Sequence, residues 1–204
     1  MSEPVNATNA RQRGILRLVL LLNLVLFAGL GLAGWLADSS ALLANALDNG
    51  ADGAVYLISL LAIGRSNRWK AGAATASGVL LLLFAAGLLA DVARRWLAGA
   101  EPLGPAMMIM ALVAAGVNLW CLILLRKIKD DDVNMRAAQT FSLNDFVSNG
   151  GVLVAGGLVL WLDRAWPDIV VGALVALIAA KGGLEILRDV RRDVREADEG
   201  TGTT

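Results

Sequence analysis

Asp48 and Asp52 lie four residues apart in NALDNGADGAVYLISL, a stretch otherwise built of small and apolar residues. On a helix that spacing stacks the two carboxylates one turn apart on a single face, and Asn45, three residues before Asp48, shares it. A second stretch, QTFSLNDFVSNGGVLVAGG, carries one acid, Asp145, with Asn144 adjacent and Asn149 one turn further along the same face. An aspartate at the centre of a membrane helix costs about 2.5–3.5 kcal/mol on insertion scales. Three of them are a penalty that packing alone does not motivate, unless they stay protonated or hydrogen-bond to neighbouring helices. No Lys or Arg is embedded near them to form an ion pair. Bound divalent metal or bound protons are the remaining compensators, which makes the three acids and their asparagines a candidate cation site.

Such a site needs helices to hold it. The chain has 204 residues, 57% of them hydrophobic, with a mean hydropathy of +0.63, too apolar for an ordinary soluble domain. Six runs are long enough to cross a bilayer core of about 30 Å: 14–36, 41–63, 73–97, 104–126, 134–161 and 166–188. The apolar runs are continuous and not alternating, which excludes a β-barrel and predicts an all-α membrane bundle of six transmembrane helices. Short links such as DSS and DRAWPD predict tight antiparallel hairpins.

Fifteen of the 18 basic residues fall on one side of this arrangement and three, Arg94, Arg95 and Arg164, on the other. The positive-inside rule then predicts both termini in the cytoplasm. These basic residues report orientation, and no nucleic-acid partner is expected. Trp35, Trp69, Trp96, Trp161 and Trp166 fall at span ends, as interfacial anchors do. With alternating topology the second and fifth helices run antiparallel. Asp48 then comes level with Asp145, and Asn45 and Asn149 sit one turn outward.

The domain organisation is expected to be a tail over 1–13, a membrane domain over 14–188, and a charged tail over 189–204 that begins as a helical extension. No cleavable signal peptide is read at the N-terminus. Gly29, Gly31, Gly34, Gly150, Gly151, Gly156 and Gly157 are expected to let helices approach closely. Cys121, the single cysteine, is expected as a small buried hydrophobe. Asn23 and Asn118, in the first and fourth spans, are expected to hydrogen-bond between helices. No catalytic residues and no enzyme activity are expected.

The run NLVLFAGLGLAGWLADSSALLANALDNGADGAVYLIS resembles the first two spans of the cation diffusion facilitators, and similarity to later spans continues through NMRAAQTFSLNDFVSNGGVLVAGGLVLW. It covers roughly residues 13 to 190, the whole membrane domain. The resemblance implies a divalent cation/proton antiporter that exports zinc-like ions. Asp48 and Asp52 match the family's second-helix pair of an acid or histidine, three residues, then aspartate. Asp145 matches the aspartate of the fifth-helix motif, but Phe141 stands where that motif has His or Asp. No histidine occurs anywhere in the chain. The family's cytoplasmic C-terminal domain is not found in this sequence either.

The metal ligands expected are therefore Asp48, Asp52 and Asp145, with Asn144, Asn149 or Asn45 or water completing the set. Oxygen-only ligands admit zinc, cobalt, cadmium, manganese, iron or magnesium. Expected partners are the lipid bilayer of a bacterial inner membrane, a divalent metal ion, protons, and a second copy in a homodimer through the membrane domain. Two other functions fit the departures: a non-transporting membrane subunit of a complete transporter, or a proton-coupled transporter of a non-metal substrate.

Overall fold

The computed structural model describes the backbone of residues 5–61, 67–126 and 133–201, with side chains described for 13–58, 60, 69, 71–126, 145 and 148–192. It forms six helices: α1 (Val5–Leu36), α2 (Ser40–Leu61), α3 (Asn67–Ala98), α4 (Gly104–Arg126), α5 (Val133–Leu162) and α6 (Trp166–Thr201). In lipid every backbone N–H and C=O must be satisfied within its own segment, and helices do so over each apolar run.

The short connections cluster at one end of the bundle. Between α1 and α2 the chain reverses in three residues. Asp38 takes a left-handed conformation (φ 50°), Ser39 N donates to Gly34 O at 2.9 Å and Asp38 N to Trp35 O at 3.4 Å. That pair of bonds is a Schellman closure, with aspartate at the position where glycine is usual. Ser39 then begins the next helix, its hydroxyl accepting Leu42 N at 3.1 Å as an N-cap. The α3–α4 turn docks on this corner through Leu103 N to Ala37 O at 3.0 Å and Glu101 N to Asp38 Oδ2 at 3.0 Å. The α5–α6 turn joins it through Asp168. We call this the turn end, and the opposite end, which carries both chain termini, the terminal end.

Helices pair as α1 with α2, α4 with α5 and α3 with α6, and α2 touches all five others. Among the described residues, four stretches are long and apolar enough to cross a membrane: Arg13–Leu36, Ala71–Ala98, Gly104–Arg126 and Trp166–Arg192, on α1, α3, α4 and α6. Among the described residues α5 adds a shorter apolar stretch, Ser148–Leu162. α2 tolerates its polar residues because protein, not lipid, surrounds it. Leu83, Leu97 and Ile178 on other helices are more than half exposed, as lipid-facing residues are. Trp35, Trp96, Trp161 and Trp166 are exposed around the turn end and Trp69 at the start of α3, consistent with interfacial anchors.

Some expected glycine contacts form and others do not. A Cβ at Gly34 would lie 2.8 Å from Leu43 N, and one at Gly156 3.0 Å from Met107 Cβ, so these two set how closely helices pack. Gly29, Gly150, Gly151 and Gly157 face open space, and Gly31 meets only Ala46 at 3.8 Å. The closest approach is elsewhere: a Cβ at Gly172 would stand 2.6 Å from Ser40 Cβ, where α6 crosses the start of α2.

At the terminal end the helices outrun the apolar spans. α1 begins at Val5, not near 14, and α6 continues to Thr201, past 188. Charge ends the bilayer-crossing part but not the helix, because extending an existing helix is far easier than nucleating one.

Candidate cation site

The site is built where α2 and α5 cross. Asn45 Nδ2 donates to Asn149 Oδ1 at 2.5 Å. Asn49 Nδ2 reaches back one turn to Asn45 O at 2.9 Å and Asn45 Oδ1 at 3.2 Å. Asn149 Nδ2 in turn donates to Asp145 O at 2.7 Å. The three amides thus form one chain that ties α2 to α5, and all are at most 1% exposed. Nothing in the sequence singled out Asn49, although its position one turn from Asn45 places it on the same face.

One turn toward the terminal end, the carboxyl of Asp48 lies beside Asp145 and Ser148. Two ionised carboxylates this close repel each other, and a proton on one of them relieves that repulsion. A cation between the two oxygens would do the same electrostatic work. Asp52 follows one turn further along α2, close enough to act on Asp48 and Asp145 through its charge. It is 8% exposed, and its Oδ2 has no hydrogen-bond partner. A buried carboxylate oxygen without a donor is costly and calls for a ligand. Among the described residues, no three acidic, cysteine or histidine side chains stand close enough together to hold a metal ion as they are. Asp48 and Asp145 meet, and Asp52 stands off by one turn.

The surroundings divide by polarity. Toward the turn end, Leu26, Leu30, Leu42, Ala111, Val152 and Ala155 form a closed apolar core. Toward the terminal end, Val19, Tyr56, Cys121 and Leu125 form a second. Cys121 is buried there with a free thiol, as a small hydrophobe. Asn23 and Asn118 sit at the border of these layers, 2% and 1% exposed. Asn23 Nδ2 donates to Val19 O of its own helix at 2.9 Å, not across helices as expected, while Asn23 Oδ1 and Asn118 Nδ2 have no partner. On the side of α3 and α6 a cavity of about 380 Å³ begins at Asp48, Asp52 and Asp145 and extends to Glu185 and Asp189 of α6.

Two of the residues singled out in the sequence, Asn144 and Phe141, have side chains outside the described residues, as does Ser142. Sequence reasoning missed the polar clamp at the turn end. Asp168, fully buried in the first turn of α6, accepts Ser39 Oγ at 2.5 Å, Ser40 N at 2.7 Å and Ala41 N at 3.0 Å. A carboxylate from one helix therefore satisfies the free N–H groups of another and meets its positive end. Beside it Arg95, 3% exposed, donates to Asp91 Oδ2 and Asp38 O at 2.5 Å each and pairs with Asp38 Oδ1. The Ser-Ser pair opening α2 is the only sequence signal for this clamp, and it does not name Asp168.

The family model for the cation efflux transmembrane domain matches residues 16–193. Among curated proteins, the chain is 25% identical over 178 residues to the zinc transporter ZitB of Yersinia pestis, a match covering 81% of this chain and 57% of that protein. It is 21% identical over 201 residues to the cadmium, cobalt and zinc/H(+)-K(+) antiporter of Bacillus velezensis, covering 89% of this chain and 64% of that one. The protein of the same description from Bacillus subtilis is 21% identical over 189 residues, covering 84% and 61%. The chain thus spans less than two thirds of the length of these relatives.

Proposed function

For a chain that belongs to the cation efflux family, and is a multi-pass integral membrane protein, we propose export of a divalent transition-metal ion from the cytoplasm in exchange for protons. Asp48, Asp52 and Asp145 hold the ion, with Asn45, Asn149 and Asn144 as candidate neutral oxygen ligands. The terminal end faces the cytoplasm, in keeping with the distribution of basic residues. The observation that carries this is the meeting of Asp48 with Asp145 beside a buried Asp52 oxygen that has no partner.

The mechanism follows from charge. Without metal, the site holds protons that relieve repulsion between neighbouring carboxylates. A metal ion arriving through the cavity replaces them, and Asp52, on the same helix face as Asp48, turns its carboxylate toward the ion to complete the ligand set. On the opposite face, protons replace the metal. The closed apolar core and the clamp of Asp168 and Arg95 fit a conformation shut toward the turn end, so release requires that end to open. The ligands are all oxygen, and zinc, cobalt, cadmium, manganese or iron suit such a set. The names of the relatives, which mention zinc, cadmium and cobalt, support that class of cargo.

A second function is favoured by a specific observation: three ligands do not stand together among the described residues. A non-transporting subunit of a complete transporter would need no finished site. Proteoliposomes loaded with a pH dye and offered each of these ions separate the two. Transport with opposite proton movement, lost in Asp52→Asn, supports the exporter. A folded protein that moves no ion from the panel supports the subunit.

A further inference from the structure

Three buried asparagines on three different helices carry amide atoms that nothing in the bundle satisfies. Asn23 on α1, Asn49 on α2 and Asn118 on α4 are all at most 2% exposed. Asn23 Oδ1, Asn49 Oδ1 and Asn118 Nδ2 have no hydrogen-bond partner. The three helices touch one another pairwise. On each, the asparagine falls between members of the two apolar clusters: Asn23 between Leu26 and Val19, Asn49 between Ala46 and Tyr56, Asn118 between Ala114 and Cys121. Those spacings of three, four or seven residues keep each asparagine on the inward stripe of its helix. A Cβ at Gly53, one turn beyond Asn49, would lie 3.9 Å from Asn23 Cβ, so α1 and α2 meet within this layer. A buried amide atom without a partner bears its full desolvation cost, which is a reason for a ligand to be there. The chemistry of the three atoms says which ligand. Two accept and one donates. A water molecule donates twice and accepts, so it answers all three, and three bonds are usual for a buried water. A metal ion would be repelled by the Asn118 amide hydrogens, and an anion by the two oxygens.

We propose that Asn23, Asn49 and Asn118 hold buried water between α1, α2 and α4, which donates to the two oxygens and accepts from Asn118 Nδ2. Asn49 already donates to Asn45, which reaches Asn149 and through it the backbone oxygen of Asp145. The water therefore joins α1 and α4 to the chain of amides that ties α2 to α5, and all four helices share one hydrogen-bonded network. The cavity at Asp48, Asp52 and Asp145 lies elsewhere: among the described residues nothing from α1 or α4 lines it. The water belongs to the frame of the bundle and not to that cavity.

The test uses the full chain in lipid nanodiscs, ¹⁵N-labelled at asparagine, with water itself as the probe. Magnetisation from water should reach the Nδ2 protons of Asn118 at mixing times too short for exchange with bulk solvent. The signal is assigned by its loss in Asn118→Leu. No transfer in the folded, unaltered protein overturns the water. A second arm compares the unfolding of Asn23→Leu, Asn118→Leu and the double variant. Asn23 and Asn118 lack a bond to each other, so only a shared ligand couples them. Once one substitution has released the water, the second removes an amide that is already unpartnered. The double variant should then be more stable than the two single losses together predict, by at least about twofold in the unfolding equilibrium. Strictly additive losses overturn the shared water. Coupling without transfer from water would mean that the two amides bond directly, which overturns it as well.

Discussion

Asn45 on α2 donates a 2.5 Å hydrogen bond to Asn149 on α5, and this bond fixes the level at which Asp48 meets Asp145. Each residue lies one turn or less from its own helix's acid, so sliding either helix by a turn would break both contacts together. The amide pair is therefore a register pin for the carboxyl pair. In a double-mutant cycle with Asn45→Ala and Asn149→Ala, the two should couple by about 0.6–1.7 kcal/mol, the range for interhelical polar contacts in membranes. Unfolding in mixed micelles measures this, and strictly additive losses would show that the pair does not hold the register.

The turn end should respond unequally to loss of its two neighbouring arginines. Arg95 is buried on Asp91 and Asp38, so Arg95→Gln leaves Asp38 without its cation and Asp91 with Arg94 alone. It should lower stability by about 1–3 kcal/mol, the cost of losing the hydrogen bonds of a buried charged donor to partners that water still reaches. Arg94 reaches Asp91 at 2.8 Å but is 60% exposed, and Arg94→Gln should change little. Denaturation of the two variants side by side checks the contrast, and equal losses would contradict it.

How much of this was legible in the sequence differs by link. At the turn end, hydropathy placed the boundaries of all six helices within a residue or two, because there the apolar runs stop at short polar links. At the terminal end it placed α1, α3 and α6 short, since hydropathy marks where a helix leaves the bilayer and not where its hydrogen bonds stop. The level pairing of Asp48 with Asp145 and of Asn45 with Asn149 followed from antiparallel direction and helical spacing alone. The long-range partners of Asp168 and Arg95 did not follow. The contacts of Asp168 with Ser39 and of Arg95 with Asp38 join residues 129 and 57 apart, which no local period encodes.

Orientation carries its own prediction. Basic residues favour the terminal end as cytoplasmic. In a protein whose Cys121 is replaced by serine, a cysteine at Ala100, in the α3–α4 turn, should react with an impermeant maleimide from outside intact cells. A cysteine at Gly200 should react only after the cells are opened. The reverse pattern would invert the direction of transport proposed here.

Selectivity should follow the missing imidazole. Phe141 occupies the position where the family's fifth-helix motif has His or Asp, four residues before Asp145. Phe141→His adds a nitrogen ligand that suits zinc better than manganese. The ratio of zinc to manganese affinity should rise, as read by competitive binding to the purified protein. An unchanged ratio in a folded variant would place residue 141 away from the ligands.

The most direct test of the central claim is the number of protons released when metal binds. If Asp48, Asp52 and Asp145 share protons that a divalent ion must expel, affinity falls as pH falls, and the three titrate as one coupled set. Calorimetry with Zn²⁺ in buffers of different ionisation enthalpy measures the stoichiometry. The unaltered protein should release protons on binding across about pH 6 to 8, and Asp52→Asn should release fewer per ion. Binding of the ion without proton release over that range would contradict exchange of metal for protons at these aspartates.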